Sequence, residues 1–511
     1  MKSPRAIALL ILFPIVFGSP GLFGAGDKIE PANPNATPEV RALLQVLHEM
    51  SGQYMLTGQH NFPNTKSRNS AFASKYIGKT PAIFASDFGF AKPGDTDSYL
   101  ARPDIVQEAI RQHQRGELVD LCWHAVPPTA NEPVTFRPLP GSDPDKLASV
   151  QGKLTDEQFR DVLTPGTALY QHWCSQVDAI AVPLKQLQDA HVPVLWRPYH
   201  EMNGDWFWWG GRTGKYSTIA LYRQLFDRFV NVHHLNNLIW VWSVDRVSEH
   251  PEREHAKYFP GIEYVDVLAL DVYHNDFAQS YYDSLVALSQ GKPIALDEVG
   301  SPPPPEIRKL QPLWVYYGIW TGMVRNTPRK QYDELMSDPR ILNLEDPAYA
   351  TAMAPYRKAC GLPLLNFAPR HADFTGNWVL NEEKSQLGTM GAGFAAARMD
   401  VVQHANDLTI RNTRVVEYAD DQVTEEKLTL DGAESKSVFM NSPRITTARL
   451  SADGAELAME STVSGPWGPP GSKFTTKDTW KLGSHGDTLT IQRASNSPMG
   501  QQNLTLVYDR R

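Results

Sequence analysis

The sequence predicts a (β/α)8 barrel followed by a smaller all-β domain, and three observations support this architecture. Eight short apolar runs alternate with longer amphipathic segments between about residues 37 and 350. The runs are continuously apolar, as expected for parallel strands that are buried on both faces. After about residue 367 the helical pattern stops and strand-like segments separated by turns take over. We therefore divide the chain into a leader (1–25), a barrel domain (26–366) and a β domain (367–511).

The leader has the pattern of a secretory signal peptide. Lys2 and Arg5 precede an apolar run from Ala6 to Phe17, and small residues follow through Gly26. A basic start, a short apolar run and a small-residue exit are typical of a cleaved export signal. The alternative is a membrane anchor, but a spanning helix needs about 20 apolar residues, and this run is shorter and contains Pro14. We expect a protein that is secreted, periplasmic or on the cell surface, with no membrane span.

The barrel elements follow one another in the order that a (β/α)8 fold requires. The predicted strands are Tyr54–Thr57, Ala82–Ser86, Leu118–Trp123, Val192–Arg197, Leu238–Trp242, Val265–Asp271, Pro293–Asp297 and Trp314–Ile319. Amphipathic segments between them predict helices at Pro103–Arg115, Gln171–Ala190, Ile219–His234, Tyr281–Ser289 and Arg329–Met336. A doubly wound sheet is the structural alternative. It would need a glycine-rich phosphate-binding turn after an early strand, and the sequence has none.

The β domain shows strand patterns separated by turn signals such as Asp431–Gly432 and Asp453–Gly454. Its predicted strands are Asn377–Leu380, Arg398–Gln403, Leu408–Thr413, Glu426–Leu430, Ile445–Leu450, Leu457–Thr462, Phe474–Leu482, Thr488–Arg493 and Gln502–Tyr508. Many short strands with this turn chemistry predict a small antiparallel barrel or sandwich.

The composition argues against a nucleic-acid partner. The 511 residues include 49 basic and 57 acidic ones, for a net charge of -8, and no basic block stands out. A nucleic-acid partner that needs many phosphate contacts is therefore not expected.

Three cysteines, Cys122, Cys174 and Cys360, are too few for a disulfide framework or a zinc cluster and allow at most one disulfide. We expect Cys122 to be a structural thiol in a buried strand, and the protein to be a monomer.

Polar residues cluster where the barrel strands end. They are Gln59, His60, Asn61, Asp87, His124, His200, Glu201, Asp245, Asp271, Tyr273 and Glu298. In a (β/α)8 barrel the carboxyl ends of the strands share one face, where catalytic loops gather. Any one of these side chains could be a structural polar group, but their recurrence at seven of eight strand ends favours an active site.

Glu201 and Glu298 are the residues that we expect to carry the chemistry. Hydrolysis of a glycosidic bond needs one carboxyl group that keeps its proton and a second that stays ionised. The apolar, aromatic surroundings of Glu201 favour a raised pKa and an acid/base role, which leaves Glu298 as the nucleophile. A lone glutamate at a strand end is more often part of a structural ion pair. Two of them, after strands four and seven of one barrel, favour catalysis.

Tryptophan is concentrated beside Glu201. Ten of the thirteen tryptophans precede the β domain, and Trp206, Trp208 and Trp209 follow Glu201 closely. Aromatic rings stack on the apolar faces of sugars. Core packing is the alternative, and we expect it for Trp240 and for at least one of Trp208 and Trp209.

Two other kinds of chemistry have little support. His60, His124, His200 and His274 could bind a metal, but their spacings match no zinc motif such as His-Glu-x-x-His. A nucleophilic serine would need a Gly-x-Ser-x-Gly elbow, which the sequence lacks. We therefore predict neither a catalytic metal nor a cofactor.

Residues from about 37 to 350 resemble glycoside hydrolase family 26, which is best known for β-1,4-mannanases. The segments that carry the resemblance are WRPYHEMNGDWFWWG at 196–210, LTGQHN at 56–61, WH at 123–124, VWSVD at 241–245, YFPGIEYVDVLALDVY at 258–273 and ALDEVG at 295–300. The resemblance implies a retaining mechanism with Glu201 as acid/base and Glu298 as nucleophile. It also implies that His124, His200, Trp206 and Tyr273 surround the −1 subsite, that Tyr273 contacts the nucleophile, and that Trp320 forms the aromatic floor.

Two loops depart from the family's usual pattern. Ala125-Val-Pro-Pro follows His124 in place of the commoner Asn-Pro, and Thr321 follows Trp320 where an arginine is frequent. These loops shape the subsites, so the preferred glycan and the endo or exo mode stay open. In the β domain, FTGNWVLNEEKS at 374–385 resembles the opening of lipocalin-like domains, which implies either glycan binding or a spacer role.

The sequence as a whole predicts a secreted retaining endo-β-1,4-mannanase whose partner is a polysaccharide: mannan, glucomannan or galactomannan. Another β-glycanase activity on the same scaffold, such as β-1,3-xylanase or mixed-linkage glucanase, is the near alternative. A non-catalytic glycan-binding protein is the more distant one.

Overall fold

The computed structural model of the protein describes residues 28–61, 67–88, 101–132, 134–135, 148–365, 372–388, 395–404, 406–416, 420–439, 441–451, 454–465, 472–483, 486–497 and 500–511. The predicted leader at 1–25 and the predicted domain boundary between 366 and 367 lie outside these ranges, so both stay predictions.

Eight parallel strands form a closed barrel within the described ranges. They are β1 (Met55–Asn61), β2 (Ile83–Asp87), β3 (Leu118–Trp123), β4 (Val194–Pro198), β5 (Leu238–Asp245), β6 (Val267–Val272), β7 (Ile294–Val299) and β8 (Trp314–Ile319). Each strand pairs with the next, and β1 also pairs with β8, which closes the sheet. A short strand at Ile341–Leu342 adds to β1, and another short pair joins Val134–Thr135 to Ala148–Ser149. The predicted barrel is confirmed.

Helices of the barrel domain follow most of the strands. They are α1 (Pro38–Met50), α2 (Arg68–Ile77), α3 (Arg102–Arg115), α4 (Asp156–Val162), α5 (Ala168–Asp189), α6 (Thr218–Asp227), α7 (Gln279–Ser289), α8 (Pro305–Leu310), α9 (Arg329–Met336) and α10 (Pro347–Ala359). Side-chain caps begin several of them: Thr37 accepts from the backbone of Val40 at the start of α1, and Thr155 forms a capping box with Gln158 at α4. Such caps satisfy backbone N–H groups that the helix itself cannot pair.

Alternate residues of the strands pack into two different cores. Val194 and Trp196 of β4 belong to the core between the barrel and its outer helices, whereas Leu195 belongs to a second core with α1 and α10. This follows from the two-residue period of a strand, which sends neighbouring side chains to opposite faces. The sequence prediction did not name α1 or α10. They are needed because their apolar faces cover inward-facing strand residues at one end of the barrel.

The carboxyl-terminal strands form an antiparallel sheet in the shape of a barrel. They are β9 (Gly376–Leu380), β10 (Arg398–His404), β11 (Asp407–Arg414), β12 (Gln422–Thr429), β13 (Ser435–Phe439), β14 (Ser442–Leu450), β15 (Glu456–Ser464), β16 (Lys473–Leu482), β17 (Thr488–Ser497) and β18 (Gly500–Arg510). Their order in the sheet is β12-β11-β10-β9-β18-β17-β16-β15-β14-β13. The two edge strands, β12 and β13, approach each other, since Ser437 Oγ of β13 donates to Glu426 Oε1 of β12 at 3.4 Å.

The all-β prediction is thus confirmed, and the sheet is a barrel rather than a sandwich. Nine of its strands overlap predicted segments, while β13 was not predicted. The sequence of β13, Ser-Lys-Ser-Val-Phe, is largely polar and Val438 is exposed, so the apolar signal that marks a strand is weak. The core is built by inward residues such as Trp378, Leu457 and Trp480, and β15 alternates buried and exposed positions along most of its length.

Candidate active site

The predicted site residues lie together at the carboxyl end of the barrel. The strands extend further than predicted, so Gln59, His60, Asn61, Asp87, Asp245, Asp271 and Glu298 are within their last residues. His124, His200, Glu201, Tyr273 and Trp320 follow the ends of β3, β4, β6 and β8 within three residues. His274, one of the four histidines considered for a metal, directly follows Tyr273 but is exposed.

Glu298 is buried, and hydrogen bonds from two side chains fix its carboxylate. Arg197 Nη2 of β4 donates to Oε2 at 2.7 Å, and the hydroxyl of Tyr273 donates to Oε1. Both oxygens therefore accept a hydrogen bond, one of them from a permanent cation. Donors of this kind stabilise the ionised form of a carboxylate and fix its orientation.

A bulge in β7 allows this arrangement. Asp297 and Glu298 are neighbours in sequence, yet Arg197 contacts both, with Nε 3.2 Å from Asp297 Oδ2. In a regular strand, neighbouring side chains point to opposite faces. The pairing of β6 with β7 shifts by one residue between Ala269 and Asp271, so one extra residue of β7 is accommodated there. Such a bulge redirects a side chain next to an active site.

Arg197 is the centre of a buried network that the sequence prediction did not identify. It is 1% exposed, and it bridges Glu298 to Asp271, with Nη1 3.0 Å from Asp271 Oδ2. Ser243 Oγ donates to the other oxygen of Asp271 at 2.8 Å. A lone arginine in an otherwise apolar strand was the available signal, because a buried guanidinium needs carboxylate partners.

Glu201 has different surroundings. It is half-buried, and Trp206 Nε1 donates to its Oε2 at 2.6 Å. Burial raises the pKa of Glu201 well above its ordinary value, and the charges of Glu298 and Asp245 add to this shift, while the hydrogen bond from Trp206 opposes it. Desolvation and nearby negative charge both favour the protonated acid. Glu201 can therefore hold a proton under conditions where an ordinary glutamate has lost it.

The loop after β4 is built to hold Trp206 against Glu201. Glu201 has φ 50°, a left-handed conformation that few residues other than glycine adopt. The backbone of Gly204 then hydrogen-bonds to the carbonyl of Glu201 at 2.9 Å. A Cβ at Gly204 would lie 2.2 Å from the ring of Trp206, so only glycine leaves room for the indole. Backbone strain of this kind is concentrated at functional sites.

The three tryptophans of this loop divide into two kinds. Trp206 is half-exposed, whereas Trp208 and Trp209 are buried. The indole of Trp208 donates to the carbonyl of Ala125, and that of Trp209 donates to the carbonyl of His200, both at 2.9 Å. Trp208 and Trp209 therefore pack the loop against the barrel, and Trp206 is the one that stays partly accessible. The buried position of Trp240 also agrees with the sequence prediction.

His124 and His200 lie against each other, with ring centroids 4.4 Å apart. His124 Nδ1 contacts Asp87 Oδ2, which fixes that nitrogen as the one carrying the proton. Burial, together with the neighbouring charges of His124 and Arg197, lowers the pKa of His200 well below its ordinary value. His200 is therefore a neutral group that can accept or donate hydrogen bonds to sugar hydroxyls.

Trp320 stacks on His60, with ring centroids 4.1 Å apart and 28° between the planes. Neither ring nitrogen of His60 has a hydrogen-bond partner among the described residues. Burial lowers the pKa of His60 to about 3. A neutral imidazole beneath a half-exposed indole forms a flat aromatic surface of the kind that receives a sugar ring.

All three cysteines are free thiols, and each of them lies within the described ranges. Cys122 is buried in β3, as the sequence predicted, while Cys174 and Cys360 are half-buried. One arrangement that the sequence spacing did not reveal is the approach of Cys122 to both His124 and His200. The three residues come from two strand ends 78 positions apart, so only the folded barrel brings them together.

A (β/α)8 barrel with two dissimilar glutamates at the carboxyl ends of β4 and β7, and aromatic residues around them, defines a glycosidase type of site. The sequence profile of glycosyl hydrolase family 26 matches residues 32–343, and the chain belongs to this family. It is therefore a glycoside hydrolase, and the resemblance noted in the sequence is confirmed.

Several known proteins are similar to part of this chain. A mannan endo-1,4-beta-mannosidase of Thermothelomyces thermophilus is 35% identical over 296 residues, which are 56% of this chain and 56% of that protein. A mannan endo-1,4-beta-mannosidase of Bacillus subtilis strain 168 is 26% identical over 319 residues, 59% of this chain and 81% of that protein. The chain thus spans little more than half the length of the first relative.

Solved structures are also similar to this chain. A family 26 glycoside hydrolase of Muricauda sp. is 40% identical and has a TM-score of 0.56, and the match covers 61% of this chain and 98% of that one. A β-(1,4)-mannanase of Podospora anserina is 28% identical with a TM-score of 0.52, over 66% of this chain and 72% of that one. These similarities support the barrel assignment and leave the roles of individual residues to be argued from the geometry.

Proposed function

We propose that the protein is a secreted retaining endo-β-1,4-mannanase that hydrolyses mannan, glucomannan or galactomannan through a covalent glycosyl-enzyme. The contrast between Glu201 and Glu298 carries this proposal. Glu201 is arranged to hold a proton, whereas both carboxylate oxygens of Glu298 accept hydrogen bonds, one from Arg197 and one from Tyr273. Double displacement at an anomeric carbon requires one carboxyl group that gives a proton and a second, oriented one that attacks.

In the first step Glu298 acts as the nucleophile. One of its carboxylate oxygens attacks the anomeric carbon of the sugar in the −1 subsite while the bond to the leaving oxygen breaks. Glu201 gives its proton to that oxygen, so the released chain leaves as a neutral alcohol. The donors from Arg197 and Tyr273 orient the carboxylate before the attack.

In the second step Glu201, now ionised, removes a proton from water, and the water oxygen attacks the anomeric carbon and displaces Glu298. Two displacements at one carbon leave the configuration unchanged. The indole of Trp206 hydrogen-bonds Glu201 at 2.6 Å, which stabilises the anion formed between the two steps. His124, His200 and Trp320 surround the same place and can bind hydroxyls and the apolar face of the −1 sugar.

The choice of mannan is supported by the relatives. Proteins named mannan endo-1,4-beta-mannosidase from fungal and bacterial sources are 26–35% identical to this chain over 296–319 residues. The net charge of -8 is compatible with a neutral polysaccharide. A specific observation also keeps a glucanase as second candidate, since 145 residues are 28% identical to a protein named Endoglucanase H of Acetivibrio thermocellus.

A substrate panel tests the proposal. Purified protein and a matched Glu298→Ala variant are incubated with mannan, glucomannan, xylan and lichenan, and released reducing ends are counted. We expect the highest rate on mannan or glucomannan, a rapid fall in viscosity per bond cleaved, and no activity in the variant. A preference for lichenan would favour the glucanase. Loss of viscosity only after extensive hydrolysis would contradict the endo mode.

Export and a monomeric state are part of the proposal. The sequence of residues 1–25 supports export, and N-terminal sequencing of protein recovered outside the cytoplasm should start near Gly26. Among the described residues, none of the helices combines the length and apolar character needed to cross a membrane. Light scattering should give a mass near that of one chain, and a stable dimer would contradict the monomer.

A further inference from the structure

Cys122, His124 and His200 form a compact group, called here the Cys–His cluster. Cys122 Sγ lies 3.5 Å from His200 Nδ1 and 3.8 Å from His124 Nδ1. One ligand atom from each of the three residues lies within 4.8 Å of the others, and all three side chains are buried. The thiol of Cys122 has no role in the proposed hydrolysis, so that mechanism does not explain its position beside two histidines of the −1 subsite.

The spacing of the Cys–His cluster is that of a cation site. Metal–sulfur bonds of about 2.3 Å and metal–nitrogen bonds of about 2.0–2.1 Å in tetrahedral geometry place neighbouring ligand atoms about 3.3–3.6 Å apart. The sulfur–nitrogen distances of 3.5 and 3.8 Å differ from this by only a few tenths of an ångström. A thiolate with two imidazoles is a ligand set that favours zinc, cadmium and related thiophilic cations.

A carboxylate lies beside the Cys–His cluster, since Asp87 Oδ2 contacts His124 Nδ1. A divalent cation that binds the sulfur replaces the thiol proton, so each cation that binds releases one proton.

We propose that the Cys–His cluster binds one thiophilic divalent cation of the zinc and cadmium class, and that this cation inhibits the enzyme. Cys122 loses its thiol proton to solvent and supplies a thiolate. His124 moves its ring proton from Nδ1 to Nε2, so that Nδ1 can join His200 Nδ1 as a ligand. No oxidant or reductant is required. Asp87, freed from its hydrogen bond to His124, becomes the neighbouring anion.

Inhibition follows from the histidines. Once His124 carries its proton on Nε2, that nitrogen donates where it accepted before, and both rings are held by the cation. The −1 sugar then meets a changed hydrogen-bonding surface. The cation is thus an inhibitor rather than a part of catalysis, in keeping with the prediction that hydrolysis needs no metal. This inhibitory step rests on the proposed function, whereas the binding step does not.

Cadmium binding to the full-length protein tests the proposal. Metal-free protein is titrated with CdCl2 while the ultraviolet thiolate-to-cadmium band is recorded, and bound metal is counted after dialysis. We expect one equivalent of cadmium, a band that is absent in Cys122→Ser, and a band that is retained in the matched controls Cys174→Ser and Cys360→Ser. Binding should tighten about tenfold per pH unit, because one proton is released per cation.

Hydrolysis of mannan is then measured with and without cadmium or zinc, each variant relative to its own metal-free rate. The parent and both control variants should lose activity at one equivalent and recover it with EDTA, while Cys122→Ser should resist. If Cys122→Ser does not fold, as judged by circular dichroism, Cys122→Ala takes its place. A thiolate band that persists without Cys122, or no band in the parent, overturns the proposal. Cadmium bound through Cys122 in a protein that cleaves no glycan would overturn the proposed function and leave the site standing.

Discussion

The hydrogen bond from Trp206 to Glu201 makes a prediction about the pH dependence of hydrolysis. In Trp206→Phe the aromatic ring is kept and the indole N–H is lost. That N–H stabilises the ionised form of Glu201 and so lowers its pKa. Removing it should raise the pKa of Glu201 further. Because the first step needs Glu201 protonated, the alkaline limb of the pH–rate profile should move to higher pH.

The size of the shift can be worked out from the bond. A hydrogen bond of 2.6 Å to a carboxylate is charge-assisted and contributes about 1.5–3 kcal/mol. At about 1.36 kcal/mol per pKa unit, this corresponds to about 1–2 units. Trp206 is half-exposed, so water can replace part of the lost bond. We expect a shift of about one unit, at the lower end of this range.

The assay is kcat/KM for a soluble manno-oligosaccharide as a function of pH, which reports the essential acid of the free enzyme. The matched control is Trp208→Phe, which also loses an indole N–H, but one that hydrogen-bonds a backbone carbonyl. Its alkaline limb should stay in place. An alkaline limb that is unmoved or lower in Trp206→Phe, or that moves equally in both variants, would refute this account of Glu201.

Three further predictions concern Glu201, Arg197 and Glu117. Glu201→Ala should lower kcat/KM for mannan by about 10²–10⁴-fold, yet spare kcat/KM for a dinitrophenyl mannoside, because that leaving group needs no proton in the first step; equal losses of kcat/KM on both would contradict the acid role. Arg197→Met should lower the free energy of unfolding in urea by about 3–5 kcal/mol, because buried carboxylates are left without a cationic partner. An unchanged midpoint of urea unfolding would be evidence against the network around Arg197. Burial raises the pKa of Glu117 to about 8 from 4.5. The folded state therefore keeps a proton that the unfolded state loses, so the free energy of unfolding falls as the pH rises from 4.5 to 8. In Glu117→Gln this decrease with pH should be smaller. An equal decrease in the variant and the parent would contradict the raised pKa of Glu117.

Much of the barrel could be predicted from the sequence because its strands are buried on both faces. Leu118–Trp123 and Trp314–Ile319 were predicted with the bounds that the structure shows. Other strands were cut short where polar residues begin, as at Gln59 and Asp245. Those residues are polar because they face the site, yet their backbones continue the ladder. An apolar pattern therefore locates a barrel strand better than it locates its functional end.

Sequence patterns could not predict the contacts between elements that are distant in the chain. The sequence singled out Glu298 but not Arg197, although the two are 2.7 Å apart. Their contact depends on the bulge in β7. A bulge in a continuously apolar strand cannot be recognised from the residue pattern, because one extra residue does not change that pattern. The cluster of Cys122, His124 and His200 was missed for a similar reason. Its spacing in sequence matches no metal motif, and only barrel closure brings the two strand ends together.

The helices α1 and α10 illustrate a different limit. Both begin with proline after a cap position, Pro38 and Pro347, and both bury one face along most of their length. Nothing in either segment shows that it will pack against the other, about 300 residues away along the chain. The packing partner becomes visible only once the strands have curled into a barrel and exposed an apolar end.

Azide rescue of Glu298→Ala tests the central claim, that Glu298 is the nucleophile of a retaining glycosidase, most directly. The variant should be inactive on a dinitrophenyl β-mannoside in buffer, since no carboxylate can attack the anomeric carbon. Azide can enter the space left by the side chain and attack from the same face, so the product seen by NMR should be the α-mannosyl azide. An inactive variant that azide does not restore, or a product with the β configuration, would contradict the claim.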